Sequence, residues 1–327
     1  MIFYITVLRA LAAILITNAH YTGVYPTDLI ANGGLLGDVI FFAVSGFCLV
    51  NITQTFPSWY IKRILRIYPA IWVITIFYIL FGFYTFDGWT LFEYLLYPTY
   101  YHFVASIIVL YIPFYFVIKR KKLSVNIPKI MIGLFIVQVV IYIFIYDKST
   151  YHIDTVREPM IRFLFFQAML LGAYFRINKE KFINRNRGLN WVALVILFLV
   201  YFASKFVFVK FEVLSVYQIL NQVVLFGLLY FVMECFAGID GNLEALPHKI
   251  KTPITFIAKI TLEIYAVQYV IIPRLTFIPF PLNWIIITFT IIVAAFILNK
   301  VTEKITCVIE NVTNKFLSQK ISGGQSL

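Results

Sequence analysis

Charged side chains are scarce in this sequence. Asp, Glu, Lys and Arg make up 13% of the 327 residues, about half the fraction found in a typical soluble domain. Hydrophobic residues make up 61%, and the mean hydropathy is +0.89. Because apolar runs long enough to cross a bilayer recur along the whole chain, the sequence excludes a soluble enzyme and indicates a helical protein that crosses a membrane many times.

Cysteine and histidine are also rare. The three cysteines, Cys48, Cys235 and Cys307, fall in or beside hydrophobic segments, and the four histidines are scattered. Neither set has the spacing of a zinc site or of a disulfide framework, so we expect no bound metal. A basic soluble module is missing as well, which excludes nucleic-acid binding as the reason for the net charge of +12.

The hydrophobic runs predict an all-α bundle of ten membrane-spanning helices. The ten spans are expected at 2–21, 33–54, 68–86, 97–118, 128–146, 160–177, 189–209, 214–236, 252–273 and 281–299. One integral-membrane domain would therefore occupy residues 1–316, and a polar C-terminal tail would occupy residues 317–327.

Positive charges set the expected orientation of these spans. With the N-terminus inside, most of the 27 Lys and Arg residues fall in cytoplasmic loops. The predicted outer side holds the remaining few: Lys148, Arg157, Arg162, Lys205, Lys210 and Arg274. This bias supports an even number of spans with both termini in the cytoplasm, and it places the protein in the cytoplasmic membrane as a multi-pass protein.

Two ionisable side chains stand within the first span. Arg9 and His20 are eleven residues apart, so they share one helix face at a separation of roughly 16 Å along the axis. Such residues face a protein interior or a watery cavity rather than lipid. A neutral imidazole there is suited to act as a general base. From these residues alone, a histidine that binds a lipid headgroup at the membrane boundary is an equal alternative.

Four stretches of sequence carry a family resemblance. They read LRALAAILITNAH at 8–20, GGLLGDVIFFAVSGF at 33–47, WYIKRILRIYPA at 59–70 and ITLEIYAVQ at 260–268. In this order and spacing they resemble acyltransferase family 3, whose members are integral-membrane acyltransferases. The resemblance implies transfer of an acyl group, commonly acetyl, from a cytoplasmic coenzyme A thioester to a hydroxyl of a glycan or glycolipid. It also implies the ten-span layout with both ends inside.

The resemblance assigns roles to individual residues. His20 corresponds to the essential histidine of the family, and Arg9 corresponds to its arginine in the same helix. Arg63 and Arg66 correspond to its R-x-x-R pattern. Gln268 stands where the family often has a histidine, so proton transfer is not expected at that position.

Acetyl-CoA is the expected acyl donor, and its phosphates require fixed cations. Arg63 and Arg66 are three residues apart and share a face if their segment is helical. Guanidinium groups match phosphate geometry with paired hydrogen bonds. Lys62 is a weaker candidate on the same turn. A purely topological role is the alternative interpretation of these cations.

Three polar residues complete the expected catalytic region. Arg9 is expected either to hold the pantetheine arm of coenzyme A or to pair with an intramembrane carboxylate, Asp38 or Glu263. Asp38 has a second candidate role, because it lies near His20 in depth and would orient the imidazole. Ser45 and the glycine after it form a small pair that lets a neighbouring helix or the thioester come close.

The acceptor is expected to meet residues of the late motif. Glu263, Tyr265 and Gln268 are candidates for acceptor binding, and hydrogen bonding to neighbouring helices is the alternative. Sugars also stack on aromatic rings, and three tyrosines near the predicted outer face belong either to the acceptor site or to the interfacial aromatic belt: Tyr97, Tyr100 and Tyr101.

The sequence as a whole predicts a membrane O-acetyltransferase that acts on a cell-surface polysaccharide or a lipid-linked sugar. Its partners would be an acyl-CoA, a glycan or glycolipid acceptor, and membrane lipids. We expect a tunnel lined by the first and second spans, and direct transfer without a covalent enzyme intermediate. The alternative is a non-enzymatic glycan exporter or flippase, because such a protein would use the same cavity without histidine chemistry.

Overall fold

The computed structural model describes residues 2–155 and 159–323, with side chains up to residue 308. Within these residues the protein is all-helical and contains no strand, which confirms the predicted fold class. The helices are α1 (Phe3–Ala19), α2 (Gly34–Cys48), α3 (Phe56–Leu80), α4 (His102–Lys119), α5 (Lys121–Ser124), α6 (Ile127–Phe144), α7 (Ile161–Ile177), α8 (Gly188–Lys210), α9 (Ile219–Gly238), α10 (Asp240–Glu244), α11 (His248–Lys259), α12 (Thr261–Leu275) and α13 (Leu282–Gly323).

The chain divides into two compact units. The first unit consists of the chain up to His20, then Leu29–Gln54 and His102–Lys259. The second unit consists of Tyr21–Asp28, Thr55–Tyr101 and the chain from Ile260 onward. The first unit thus contains α1, α2 and α4 to α11, and the second contains α3, α12 and α13.

Every predicted span falls on a helix, but fewer helices pass a strict test for crossing a membrane. Among the described residues, α3, α4, α6, α8, α9 and α13 are long and apolar enough, and the number rises from six to seven if α11 and α12 count as one span. α1 and α2 are apolar but shorter. The count of ten spans and the orientation of the termini remain predictions.

The third predicted span begins earlier than expected. α3 starts at Phe56 rather than near residue 68. Pro57 lies in its first turn, where proline is favoured because the N–H that it lacks would have no helical partner. Lys62, Arg63 and Arg66 therefore stand on a helix, which is the condition that the phosphate-binding hypothesis required.

The last two predicted spans also differ from the structure. The run at 252–273 forms two helices, α11 and α12, with Ile260 between them. α11 is largely exposed and buries Ala258, and its alternation of lysine with apolar residues is typical of a helix at a membrane surface. α13 continues past 299 to Gly323 and so includes the first residues of the polar tail.

Glycine determines how α2 packs against α7 in the first unit. A Cβ atom added to Gly46 would lie 1.9 Å from the carbonyl oxygen of Met169, and one added to Gly172 would lie 1.8 Å from that of Ala43. The two backbones are therefore in direct contact, and a larger residue has no room at either position. The expectation that the small pair at Ser45 and Gly46 lets a neighbouring helix approach is confirmed.

Buried amides join α6, α7 and α9 in the same unit. Gln167 Nε2 on α7 donates to Gln138 Oε1 on α6 at 3.0 Å. Gln138 Nε2 in turn donates to Gln222 Oε1 on α9. Gln222 Nε2 then donates to the carbonyl of Ile153 at 3.0 Å. This chain satisfies polar groups that would otherwise be costly to bury, and it fixes the order of the three helices.

Tyrosine hydroxyls take the corresponding role in the second unit. The Tyr78 hydroxyl on α3 donates to the Val267 carbonyl on α12 at 2.9 Å. The Tyr101 hydroxyl is hydrogen-bonded to those of Tyr84, at 2.8 Å, and Thr75, at 3.2 Å. These contacts attach the connection between α3 and α4 to the helices of the second unit.

Candidate active site

A charged cavity of about 1120 Å³ opens in the first unit at the start of α1 and the end of α2. It is at least as large as the cavities that commonly hold small molecules, roughly 300–1,000 Å³. α1 and α2 contribute Ile2, Ile5, Thr6, Arg9, Val44, Phe47 and Cys48, with Asn51 just beyond α2. The rest of the lining comes from α7, α10, α11 and the turn after α7: Arg176, Lys179, Glu180, Ile183, Asp240, Glu244, Thr255, Ala258 and Lys259.

Arg9 is exposed to this cavity. Within the part of the chain that the structure describes, it forms no ion pair with a carboxylate. The pairing with Asp38 or Glu263 that the sequence suggested is not observed, since Asp38 does not line the cavity and Glu263 accepts a hydrogen bond from Asn299 at 3.0 Å. Because all N–H donors of a guanidinium point outward from one planar group, Arg9 can donate hydrogen bonds to a ligand in the cavity.

The other charges of the cavity are held in place by α1 and α2. The Arg176 guanidinium lies over the Phe47 ring, 5.3 Å from its centroid, and Phe47 contacts the Tyr4 ring edge-on at 5.7 Å. Asp240 Oδ1 accepts the backbone N–H of Tyr4 at 2.7 Å, in the first turn of α1, where a carboxylate also complements the helix dipole. The lining has four cations and three carboxylates, the other two being Glu180 and Glu244. Since Asp240 is engaged with the backbone, the cavity offers more cationic than anionic groups to a ligand.

His20 lies at the opposite end of α1, directly after its last helical residue, and is half-buried. Its Nδ1 atom is 2.7 Å from the carbonyl oxygen of Ile16. A carbonyl only accepts, so Nδ1 carries the proton in this contact and Nε2 is the basic nitrogen of the neutral ring. The contact with the backbone of α1 thereby leaves Nε2 as the nitrogen that can accept a proton.

Asp38 and Ser45 both lie on α2, away from the charged cavity. Asp38 is buried, with 6% of its surface exposed, and it is close enough to interact electrostatically with Tyr201. The orienting contact that we expected Asp38 to make with His20 is made at Nδ1 by the Ile16 carbonyl instead. Ser45 is half-buried. The catalytic role of Asp38 stays a prediction.

The remaining cations predicted from sequence belong to the second unit. Arg63 is half-buried and lies over the Trp59 ring, 5.6 Å from its centroid. Lys62 and Arg66 are exposed. Arg63 and Arg66 are three residues apart on α3, so both reach the same side of the helix. Neither is among the residues that line the cavity at Arg9, all of which belong to the first unit.

The predicted acceptor residues lie on α12 and are buried. Gln268 is completely enclosed and Tyr265 is 7% exposed. The Tyr265 hydroxyl accepts a hydrogen bond from Tyr269 at 2.7 Å, and its ring lies 6.3 Å from that of Tyr101. Tyr101 is itself fully buried, so it belongs to a packed tyrosine cluster and not to an interfacial belt. Tyr100 is half-buried and contacts this cluster.

Sequence reasoning missed three of the four cations that line the charged cavity. It treated Arg176, Lys179 and Lys259 only as determinants of orientation, whereas all three line the cavity with Arg9. They are far apart in sequence, and no spacing rule relates them. In the described part of the chain, no three His, Cys, Asp or Glu side chains are grouped as metal ligands.

A family model described as an acyltransferase domain matches residues 2–300, and the chain belongs to this family, acyltransferase family 3. Searches among curated proteins and among solved structures gave no significant match. The family makes the protein an acyltransferase of the membrane.

Proposed function

We propose that the protein transfers an acetyl group from acetyl-CoA to a hydroxyl of a cell-surface polysaccharide or a lipid-linked sugar, with His20 as the general base. The observation that carries this proposal is the layout of α1. One end of this helix presents Arg9 to a large charged cavity, and the other end holds an imidazole whose Nε2 can accept a proton. A single rigid helix thus relates a site for an anionic donor to a site for proton removal.

The cavity suits the charged and apolar parts of coenzyme A. The pyrophosphate needs cations, and Arg9, Arg176, Lys179 and Lys259 supply them. Phosphate contacts to guanidinium groups are charge-assisted and therefore stronger than neutral hydrogen bonds. Ile5, Val44 and Phe47 form an apolar part of the wall, which suits the pantetheine arm.

The reaction needs one proton removed and one bond exchanged. His20 Nε2 accepts the proton of the acceptor hydroxyl while the oxygen of that hydroxyl attacks the thioester carbonyl. The carbon–sulfur bond then breaks, the acyl group stays on the acceptor oxygen, and the coenzyme A thiol leaves with the proton that His20 returns. A positioned base of this kind contributes roughly 10²–10⁴-fold to the rate.

The acyl group must travel along α1. Arg9 and His20 are separated by roughly 16 Å of helix, and the extended pantetheine arm has a comparable length. We propose direct delivery of the thioester to His20, through a path along α1 and α2, and no covalent intermediate. Ser45 is the alternative acyl carrier. An acetyl adduct on Ser45, formed without acceptor and passed on to it, would overturn direct transfer.

The remaining assignments extend this proposal. Arg63 and Arg66, with Lys62 as a weaker contributor, bind a phosphate of the donor. Glu263, Tyr265 and Gln268 serve the acceptor, Asp38 assists catalysis, and the chain crosses the cytoplasmic membrane ten times with both termini inside. The family's R-x-x-R pattern and the helical placement of both arginines support the first of these assignments.

The test is label transfer by the purified protein. With radiolabelled acetyl-CoA and membrane glycans of the host, the wild-type protein should label a glycan. His20→Ala should lower turnover at least about 100-fold while coenzyme A binding persists. His152→Ala, which removes a half-buried loop histidine that stacks on Tyr146, is the control and should keep full turnover. Wild-type turnover in His20→Ala contradicts the base assignment, and coenzyme A binding without any transfer favours an exporter.

A further inference from the structure

The second unit contains an apolar groove that the proposed reaction does not use. It has a volume of about 540 Å³ and lies among α3, α12 and α13. Its lining consists of Val73, Ile74, Phe77, Tyr78, Phe83, Val270, Ile271, Arg274, Leu275, Thr290, Ala294, Ile297, Leu298 and Val301. The lining of the groove is therefore almost entirely apolar, and Arg274 is the one charged side chain among these residues.

The groove has the length of one half of a bilayer. Its lining on α13 runs from Thr290 to Val301, which is roughly 16 Å of helix at 1.5 Å per residue. The hydrocarbon core of a membrane is about 30 Å thick. An acyl chain of one leaflet therefore matches the groove from end to end.

Arg274 marks the end of the groove at which α12 finishes and α13 begins. Its guanidinium lies over the Phe83 ring, 4.4 Å from the centroid, and Nη1 donates to the Val270 carbonyl at 3.1 Å. Among the described residues, Arg274 forms no ion pair with a carboxylate. One face of the guanidinium is thus fixed on the protein, and the other N–H donors are available to an anion.

A ligand for this groove must be apolar along about 16 Å and anionic at one end. A guanidinium at the edge of hydrocarbon is costly unless an anion or water compensates it, and lipid phosphate provides that anion where the headgroups begin. We propose that the groove binds one anionic phospholipid, with an acyl chain along α13 and the headgroup phosphate on Arg274. The proposal goes beyond acyl transfer and does not depend on it.

Native mass spectrometry of the detergent-purified protein tests this. Phosphatidylglycerol and phosphatidylcholine with identical chains are titrated separately. We expect one tightly bound phosphatidylglycerol and about fivefold weaker binding of the neutral lipid, the factor that one basic residue contributes at an anionic lipid surface. Equal binding of the two lipids would overturn the proposal.

Two sets of variants separate the contribution of charge from that of shape. Arg274→Gln should remove the preference for phosphatidylglycerol, Arg274→Lys should retain it, and Lys210→Gln should not change it. Lys210 is the matched control, because it also lies over aromatic rings but outside the groove. Retention of the preference in Arg274→Gln would overturn the headgroup assignment.

Ala294→Phe fills the groove without changing charge and should reduce the binding of both lipids at least fivefold. Ala203→Phe places the same ring on the exposed surface of α8 and should leave both unchanged. Unaltered lipid binding in Ala294→Phe would overturn the assignment of the acyl chain. A lipid-free species at twice the 38.0 kDa mass, lost in Ala294→Phe, would identify the occupant as a second copy and would also overturn the proposal.

Discussion

The two units of this protein differ in how one pair of their helices is held together. In the first unit, α2 and α7 contact each other at glycines, with Gly46 and Gly172 each packed against a backbone carbonyl of the other helix. In the second unit, α3 and α12 meet through side chains that are present, such as the Tyr78 hydroxyl on the Val267 carbonyl. Small residues give close backbone contact, whereas tyrosines give directional bonds with more room between helices.

The difference extends to the cavities. The first unit surrounds a charged cavity of about 1120 Å³ and also has a smaller, mostly apolar pocket of about 320 Å³, whereas the pocket described in the second unit is an apolar groove. Rigid backbone contact suits the unit that must hold a histidine and several cations at fixed separations, because catalytic geometry tolerates little displacement. The proposed base and the charged cavity therefore lie in the unit in which two helices are in direct backbone contact.

The largest effect on stability is expected when one methyl group is added at the contact between α2 and α7 in the first unit. Gly172→Ala places a Cβ atom against the Ala43 carbonyl, so α2 and α7 must separate. We expect a loss of about 3 kcal/mol or more in stability, seen as loss of monodisperse protein and a large fall in unfolding temperature. Gly133→Ala on α6, where a Cβ atom has no neighbour within 4 Å, should be neutral or slightly stabilising. Equal behaviour of the two variants would contradict the close contact.

The next effect concerns coenzyme A binding by arginines, with Arg9 in the first unit and Arg63 and Arg66 in the second. Arg9→Gln should weaken coenzyme A binding roughly 10- to 100-fold, since it removes a charge-assisted contact. Arg63→Ala and Arg66→Ala should weaken coenzyme A binding more than binding of dephospho-coenzyme A, which lacks the ribose phosphate. Calorimetric titration with both ligands measures this. Equal losses for the two ligands remove the ribose-phosphate assignment on α3, and unchanged binding leaves those arginines a topological role only.

A smaller effect is expected at the start of α1. Asp240→Ala removes the acceptor of the Tyr4 backbone N–H and should cost about 1–2 kcal/mol, the usual range for the loss of a helix cap. Asp240→Asn keeps an acceptor oxygen and should cost less. Thermal unfolding in detergent measures both variants, and an equal loss for Asn and Ala would show that the charge, not the hydrogen bond, determines the contribution.

The smallest effect belongs to the second unit. Tyr101→Phe removes one hydroxyl from the contacts with Tyr84 and Thr75 and should lower stability by about 1 kcal/mol. Tyr217→Phe, at a position that is 56% exposed, is the control and should have no measurable effect. A loss in Tyr101→Phe as large as that in Gly172→Ala would remove the distinction between the two units.

Most of the helices could be predicted from sequence, because a long apolar run can satisfy its backbone in a membrane only as a helix. The start of α3 was missed because its first turns carry Lys62, Arg63 and Arg66, which are polar enough to resemble a loop. The break at Ile260 was missed because α11 is amphipathic and contributes apolar residues to the same window as α12.

The candidate site was predictable only where its residues share one helix. Arg9 and His20 follow from helical periodicity within α1. The convergence of Arg176 and Lys259 on the same cavity does not, since it depends on how α7 and α11 pack against α1 and α2. The contact of His20 with the Ile16 carbonyl is local, and a histidine at the end of a helix is a weak signal for it.

Alkylation of Cys48 tests the central claim most directly. Cys48 is exposed and lines the charged cavity, Cys307 is exposed elsewhere, and Cys235 is buried. If acetyl-CoA binds in this cavity, saturating acetyl-CoA should slow maleimide labelling of Cys48 at least about tenfold and leave the rate at Cys307 unchanged, as occupancy at ten times Kd or more requires. An unchanged labelling rate at Cys48, under conditions in which acetyl-CoA is bound, would place the donor elsewhere and contradict the account.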